Sequence, residues 1–387
     1  MNIVYFFPSL KDAAGTERML NVKANYLAEV LGYQVTIITY RQYDDPVFFK
    51  FSDKINIIHL NIPDPTRELK GLPPAEKKRL YKSFMTTYRQ KVEDYLHHNP
   101  TDIAISMYFG AEHKFLPLIK DGSKKIMEYH FHFDITPFSK ILKAPWSLKN
   151  LKAKILTKLF QRTLNKFDKI VVLTEEDEKE WSKYFKNVTN IPNPITIKPI
   201  AADYRVKKVL SVGRFTYQKG LNYLIDAWAI VSEKFPDWQL DIYGHGELED
   251  ELRNQTRKLD LEKSITIHPP SKAINEVYAQ YSIFALSSRF EGFPLVLIES
   301  IASGLVPVAF ACKNGPKQLL GNNLLKDGLV EPYNIEMFAE KLMILMENET
   351  LRKEMSEEAL RVSKRYEMSN IMKKWEGLFD DLIGKRK

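Results

Sequence analysis

Short apolar runs alternate with helix-period stripes along most of the chain. The strand-like runs lie at 3–7, 35–39, 55–60, 103–107, 125–131 and 170–173, then at 209–212, 240–243, 265–268, 283–286 and 306–310. Many are apolar at nearly every position, as parallel strands covered on both faces should be. Between them the spacing changes. Leu221, Leu224, Ile225, Trp228 and Val231 recur at three- and four-residue steps and share one face of a helix. Strand–helix alternation of this kind predicts an α/β architecture with parallel sheets.

The alternation breaks once, at 190–199, where Pro192, Pro194 and Pro199 fall within ten residues. Proline removes a backbone donor and drives its predecessor toward extended conformations, so the segment reads as an interdomain linker. Six strand runs precede it and about five or six follow, which predicts two α/β domains of similar size with a hinge near 192–206. Asn348 can cap a helix running to about Tyr366. After it, Ile371, Met372, Trp375, Leu378, Phe379 and Leu382 form a second stripe that must bury against something. The expected division is an N-terminal domain at 1–195, a C-terminal domain at 196–366, and a last helix at 367–387 packing back on the N-terminal domain.

Composition narrows the classes. The chain has 387 residues, 44% hydrophobic and 27% charged, the balance of a globular protein and not of a disordered one. One cysteine, Cys312, excludes a disulfide scaffold and a cysteine metal cluster and suits a reducing compartment. The start, MNIVYFF, has no basic leader or small-residue cleavage site, so a cytoplasmic location is expected. The most membrane-like stretch, 292–312, carries Glu299 near its middle and is interrupted by Pro294, Gly304 and Pro307. A charge at a bilayer centre costs about 3 kcal/mol, so this stretch reads as a buried helix followed by a buried strand.

The net charge of +8 arises from 57 Lys and Arg against 49 Asp and Glu. No acid lies between Asp134 and Asp168, where Lys140, Lys143, Lys149, Lys152, Lys154, Lys158, Arg162 and Lys166 supply the whole excess. Trp146, Leu148, Leu151, Ile155, Leu159 and Phe160 are interleaved with them. That pattern suits a basic amphipathic helix on an anionic membrane, with Lys149, Lys152, Lys154 and Lys158 as the membrane patch and the inner face of the cell membrane as its place. The alternative is a solvated face whose apolar side packs on the core. No nucleic-acid module is recognisable, so no nucleic-acid partner is expected.

Four loops carry candidate chemistry. The segment 287–300, SSRFEGFPLVLIES, follows the strand run 283–286, where open α/β sheets bind ligands. Gly292 permits close backbone approach, and a helix starting near Pro294 would aim free N–H groups at an anion such as a diphosphate. Glu291 and Glu299 can accept hydrogen bonds from sugar hydroxyls. The segment 211–220, SVGRFTYQKG, places Arg214 and Lys219 at another strand end, where two cations can clamp a diphosphate without a metal. Gly244 to Glu247, GHGE, admits a nucleotide closely but fails the dinucleotide fingerprint, and by itself its ordinary reading is a plain strand–helix turn. In AAGTER, 13–18, Gly15 can bring backbone against a phosphate or sugar and Thr16 can cap the next helix, and a plain βα turn fits the local sequence equally well.

Together these segments resemble the retaining glycosyltransferases of family four. The Glu-x7-Glu pattern stands at Glu291 and Glu299, the phosphate element at Gly213, Arg214, Lys219 and Gly220, and the G-x-G-E turn at Gly244 to Glu247. The N-terminal loop departs from the family's G-G-x-E-R, with Ala14 before Gly15. The resemblance implies a GT-B fold, two Rossmann-like doubly wound domains facing a central cleft. It also implies sugar transfer from a nucleotide-diphosphate sugar, with retained anomeric configuration, to a glycan or lipid-linked acceptor in cell-surface polysaccharide or glycolipid synthesis. Arg214 and Lys219 would bind the diphosphate and Glu299 the ribose. Glu291 and the backbone of Gly292, Phe293 and Leu295 would hold the sugar and phosphate, with Gly15 and Gly244 as further donor contacts. No D-x-D follows a strand, and LTEED at 173–177 reads as a capping box on Thr174, so no cofactor or essential metal is expected.

One rival remains. In EYHFHFD, 128–134, an extended backbone would put His130, His132 and Asp134 on one face, a spacing that suits a metal-dependent hydrolase. The resemblance instead assigns His130 to the donor sugar, as a catalytic residue beside Glu291.

Overall fold

The structure, a computed structural model, describes the chain except for residues 64–70, 108–109, 137–138, 144–150 and 385–387, and except for the side chains of Ile135, Ile141, Leu151 and Lys152. It contains two compact units. The first is Met1–Ile191 with Met372–Lys387, the second Pro192–Ile371. The division thus falls at the first proline of the 190–199 segment. The last helix, Met368–Ile383, begins in the second unit and from Met372 onward belongs to the first.

The first unit holds a seven-stranded sheet in the order β3-β2-β1-β4-β5-β6-β7. Its strands are β1 (Asn2–Phe7), β2 (Gln34–Thr39), β3 (Ile55–His59), β4 (Ile103–Met107), β5 (Lys124–Glu128), β6 (Lys169–Val172) and β7 (Val188–Asn190). The second unit holds a six-stranded sheet, β10-β9-β8-β11-β12-β13. Here β8 is Lys208–Val212, β9 Gln239–Tyr243, β10 Ile265–His268, β11 Ile283–Leu286, β12 Val306–Phe310 and β13 Leu329–Val330. Every strand pair is parallel, as the continuous apolar runs predict. In each sheet the chain turns back from the first strand and restarts on its other side, leaving a switch point between β1 and β4 and between β8 and β11. Crevices at the strand carboxyl ends belong at such points.

All eleven expected strands form. β7 and β13 were not anticipated. They are three and two residues long, sit at sheet edges, and are too short to mark a strand by pattern. The expected strand at 125–131 is too long: β5 ends at Glu128, and a 3-10 turn at Phe133–Ile135 follows. The Phe133 N–H goes to Asp177 Oδ1 at 3.0 Å, which takes the chain out of the sheet.

The helix Leu221–Lys234 buries Leu221, Leu224, Ile225, Trp228 and Val231, the stripe read from spacing. Each such side chain contributes about 1.5–3 kcal/mol by leaving water. The C-terminal stripe is likewise buried at Ile371, Met372, Trp375 and Phe379. The 292–312 stretch folds as the helix Leu295–Ala302 followed by β12, with Glu299 buried. Among the described residues no helix is long and apolar enough to cross a membrane. Thr174 caps the helix Glu175–Ser182 by accepting the Asp177 N–H, as the capping-box reading expects. Thr16, expected as a cap, lies inside the helix Gly15–Glu29, whose N-cap is Ala14. Its hydroxyl donates to Glu17 instead.

Candidate functional site

In the second unit the loops after β8 and β11 meet across the switch point. The β8 loop tightens into a 3-10 turn, Tyr217–Lys219, and passes through Gly220 in the left-handed region. A Cβ on Gly220 would lie 2.4 Å from the Ser287 carbonyl oxygen, so only glycine lets the loops come this close. Three further bonds stitch them. Arg289 N–H donates to Gln218 O at 2.8 Å, Gln218 Nε2 to Phe290 O at 3.1 Å, and Ser287 Oγ to Lys219 O at 3.2 Å. The Arg289 guanidinium lies 4.0 Å from the Tyr217 ring centre and 4.5 Å from that of Tyr223.

This stitching brings together two of the expected residues. Lys219 Nζ donates to Glu291 Oε1 at 2.7 Å, and Ser288 Oγ donates to the same oxygen at 2.7 Å. Glu291 is buried and Lys219 nearly so. Arg214 is exposed and has no ion-pair partner among the described residues. A lysine paired only with a neighbouring carboxylate, beside an unpaired arginine, can re-pair with a diphosphate at little reorganisation cost.

Pro294 precedes the helix Leu295–Ala302, whose first N–H groups have no intrahelical acceptor. Phe293 is buried against Tyr366 at 5.8 Å, which leaves its backbone as the part open to a ligand, and Leu295 is half-buried. Glu299 lies one face further in. Its two carboxylate oxygens accept from the hydroxyls of Thr196 and Tyr278, the latter at 3.2 Å. Thr196 and Tyr278 were not foreseen. No local spacing links them to Glu299, since Thr196 sits in the proline-rich segment. Gly244 packs against the β8 loop, and a Cβ there would stand 1.9 Å from the Gly213 carbonyl oxygen. Asn314 and Gly315, both with positive φ, were also missed. The loop they form lies so close to Pro294 that a Cβ on Gly315 would stand 2.3 Å from Pro294 Cδ. The Asn-Gly pair was the available signal.

In the first unit, Gly15 opens the helix Gly15–Glu29 after the β1 loop. Burial raises the Glu17 carboxyl on its first turn, against the Thr16 hydroxyl bond. His130 is buried two residues beyond β5, and its Nε2 lies 3.0 Å from Glu128 Oε1. The metal cluster expected of the hydrolase rival does not form. The 3-10 turn ends the extended alternation, His130 turns to Glu128, and Asp134 pairs with Lys143 at 2.5 Å. Among the described residues no group of three His, Cys, Asp or Glu side chains is placed to hold a metal ion.

Within the basic stretch, the described residues form the helices Ser139–Lys143 and Leu151–Leu164. Leu164 and Thr157 are buried, whereas Ile155, Leu156 and Leu159 are 53%, 59% and 51% exposed. Lys158 is exposed and Lys154 half-buried beside them. Lys149 and the Lys152 side chain lie outside the described residues.

Residues 194–362 match the family model for glycosyl transferases group 1. An uncharacterized glycosyltransferase of Haemophilus influenzae is 34% identical over 384 residues, 97% of this chain and 99% of that protein. The amylovoran biosynthesis glycosyltransferase AmsD of Erwinia amylovora is 36% identical over 227 residues, 55% of this chain and 62% of its own. TarM of S. aureus, solved with UDP, α-GlcNAc-glycerol and fondaparinux, superposes with a TM-score of 0.71 over 98% of this chain and 99% of its own, at 16% identity. That likeness shows the fold, the GT-B architecture of two parallel α/β domains.

Proposed function

This chain belongs to the group 1 glycosyltransferases, and we propose that it moves a sugar from a nucleoside-diphosphate sugar to a glycan or lipid-linked acceptor, with retained anomeric configuration and no essential metal. One observation carries the donor reading. The Lys219–Glu291 pair, with Arg214 exposed nearby, stands at the β8/β11 switch point beside the start of the helix Leu295–Ala302. Cations and free backbone N–H groups at a strand carboxyl end suit a departing diphosphate. Positioned charge of this kind stabilises the transition state without a protein nucleophile. In this reading Arg214, Lys219 and the backbone of Gly292, Phe293 and Leu295 hold the diphosphate. Glu291 touches the sugar and Glu299 the ribose, where Thr196 and Tyr278 orient its carboxylate, and His130 is the catalytic candidate of the first unit. The TarM complex favours UDP as the first nucleotide to try, and the Erwinia relative's name favours an acceptor in polysaccharide synthesis.

The test is a panel of nucleotide sugars with and without chelator, with the anomeric configuration of transferred or hydrolysed sugar read by NMR. Retained configuration from one donor, unaffected by chelator, is expected. An inverted product would overturn the mechanism, and loss of turnover on chelation would overturn the metal-free reading.

A second reading concerns place. The exposed Ile155, Leu156 and Leu159 beside Lys154 and Lys158 support peripheral attachment to an anionic cytoplasmic membrane face, where lipid-linked acceptors are presented.

A further inference from the structure

Lys23, Glu128 and His130 form a buried polar chain in the first unit. Lys23 lies midway along the helix Gly15–Glu29, and its Nζ donates to both Glu128 oxygens at 2.6 and 2.7 Å. Both side chains are 1% exposed. Glu128 is the last residue of β5, and its Oε1 also faces His130 Nε2 at 3.0 Å. On the far side of Lys23, the Trp375 ring of the C-terminal helix covers the ammonium at 3.7 Å. A buried ion pair is expensive to desolvate, and well-packed apolar residues would usually serve stability as well. Its presence two residues from a catalytic candidate therefore calls for a use.

The carboxylate supplies one. Burial by itself would raise the Glu128 carboxyl, but Lys23 and then His130 outweigh it and bring it down to about 2. Burial lowers the Lys23 ammonium in turn, with Glu128 opposing. An ionised carboxylate can only accept hydrogen bonds, so the ring nitrogen facing it must carry the proton. The remaining nitrogen, Nδ1, has no hydrogen bond to another described residue.

We infer that Glu128 is a positioning residue for His130: held by Lys23 and capped through Lys23 by Trp375, it fixes the imidazole as the Nε2–H tautomer and leaves Nδ1 as the nitrogen offered to the substrate. This rests on the reading of His130 as catalytic. The neutral ring then accepts a hydroxyl proton bond at Nδ1, and the protonated ring donates there. Other titratable groups that act on the trio are Glu17 from the helix Gly15–Glu29, Asp12 just before it through Glu17, and Tyr5 from β1.

The test combines 15N-histidine NMR with kinetics on the full chain. Glu128→Gln removes the charge, and Lys23→Met with Glu128→Gln removes the pair while keeping the core neutral. Thermal melting selects the folded variants. Wild-type His130 should show the 15N shifts of the Nε2–H tautomer, and both variants should lose that single signature. Their kcat should fall about tenfold or more with donor KM held, the scale of a misplaced acid–base group. In a His130→Ala background, Glu128→Gln should cost nothing further. Unchanged His130 shifts in a folded variant overturn the proposal, as do additive losses with His130→Ala. Should His130→Ala alone retain full activity, the catalytic reading fails, and the ring signature still decides whether Glu128 sets the tautomer.

Discussion

Gly244 backs directly onto Gly213: a Cβ at 244 would stand 1.9 Å from the Gly213 carbonyl oxygen. The two residues follow neighbouring parallel strands, and the Gly213 N–H bonds the Tyr243 carbonyl at 3.0 Å. The glycine is thus required by loop packing, before any nucleotide is considered. Gly244→Ala should force the β8 and β9 loops apart and lower stability by about 1–3 kcal/mol, the cost of overpacking a tight contact. Thermal denaturation checks this. An unchanged melting temperature with weakened nucleotide binding would show instead that the glycine serves the ligand alone.

The Lys219–Glu291 pair makes two forecasts of opposite sign. Lys219→Ala removes a cation from the diphosphate and should cost about 1.5–3 kcal/mol of UDP affinity, the worth of a charge-assisted bond. Glu291→Gln releases Lys219 from its carboxylate, so UDP affinity should hold or rise while turnover falls. Calorimetry with UDP and a transfer assay read both. Equal losses of UDP affinity in the two variants would reduce the pair to a clasp between loops.

Much of this was legible because period and position coincide in parallel α/β units. Apolar runs marked eleven strands, and Glu291, Glu299, Arg214 and Lys219 stood out because they follow such runs. What stayed hidden depends on long-range approach. Thr196 and Tyr278 reach Glu299 from segments whose own spacing says nothing about it. Lys23 and Glu128 are 105 residues apart, and Lys23 looks like any charge on an amphipathic helix until β5 is placed beside it. β13 is two residues long, too short to carry a period. The H-x-H-x-D rival presumes extended backbone, and the turn at Phe133–Ile135 removes that premise.

Glu112 makes stability depend on pH. It is fully buried, and burial raises its carboxyl from 4.5 to about 7, against hydrogen bonds from Ser106, its own backbone and Tyr88. A carboxyl raised in the folded state stabilises fully below its unfolded value and loses that contribution as pH climbs through the folded value. Stability from this residue should therefore fall between about pH 4.5 and 7, by about 3 kcal/mol at most. His113 opposes it, since burial lowers its ring to about 3 and its contribution is lost as pH falls from 6.5. The difference between wild type and Glu112→Gln isolates the carboxyl. The variant should gain on the wild type as pH rises to 8, and parallel melting curves from pH 4 to 8 would place the Glu112 carboxyl at its ordinary value.

The exposed face of the helix Leu151–Leu164 separates two contributions to membrane attachment. Ile155 and Leu159 stand one turn apart on one face, with Leu156 on one flank and Lys158 on the other. Inserting each large apolar side chain is worth about 1.5–3 kcal/mol, and each cation near an anionic surface about 1 kcal/mol. Salt screens only the second. Changing Lys149, Lys152, Lys154 and Lys158 to Glu should therefore abolish binding to anionic vesicles at low salt. Changing Ile155, Leu156 and Leu159 to Ser should leave a weak attachment that disappears at high salt. UDP affinity should be unchanged in both, because Lys219 and Glu291 lie in the other unit. Transfer to a lipid-linked acceptor should slow while transfer to a short soluble acceptor survives. Cosedimentation that ignores salt and both sets of substitutions would show that this face is merely solvated.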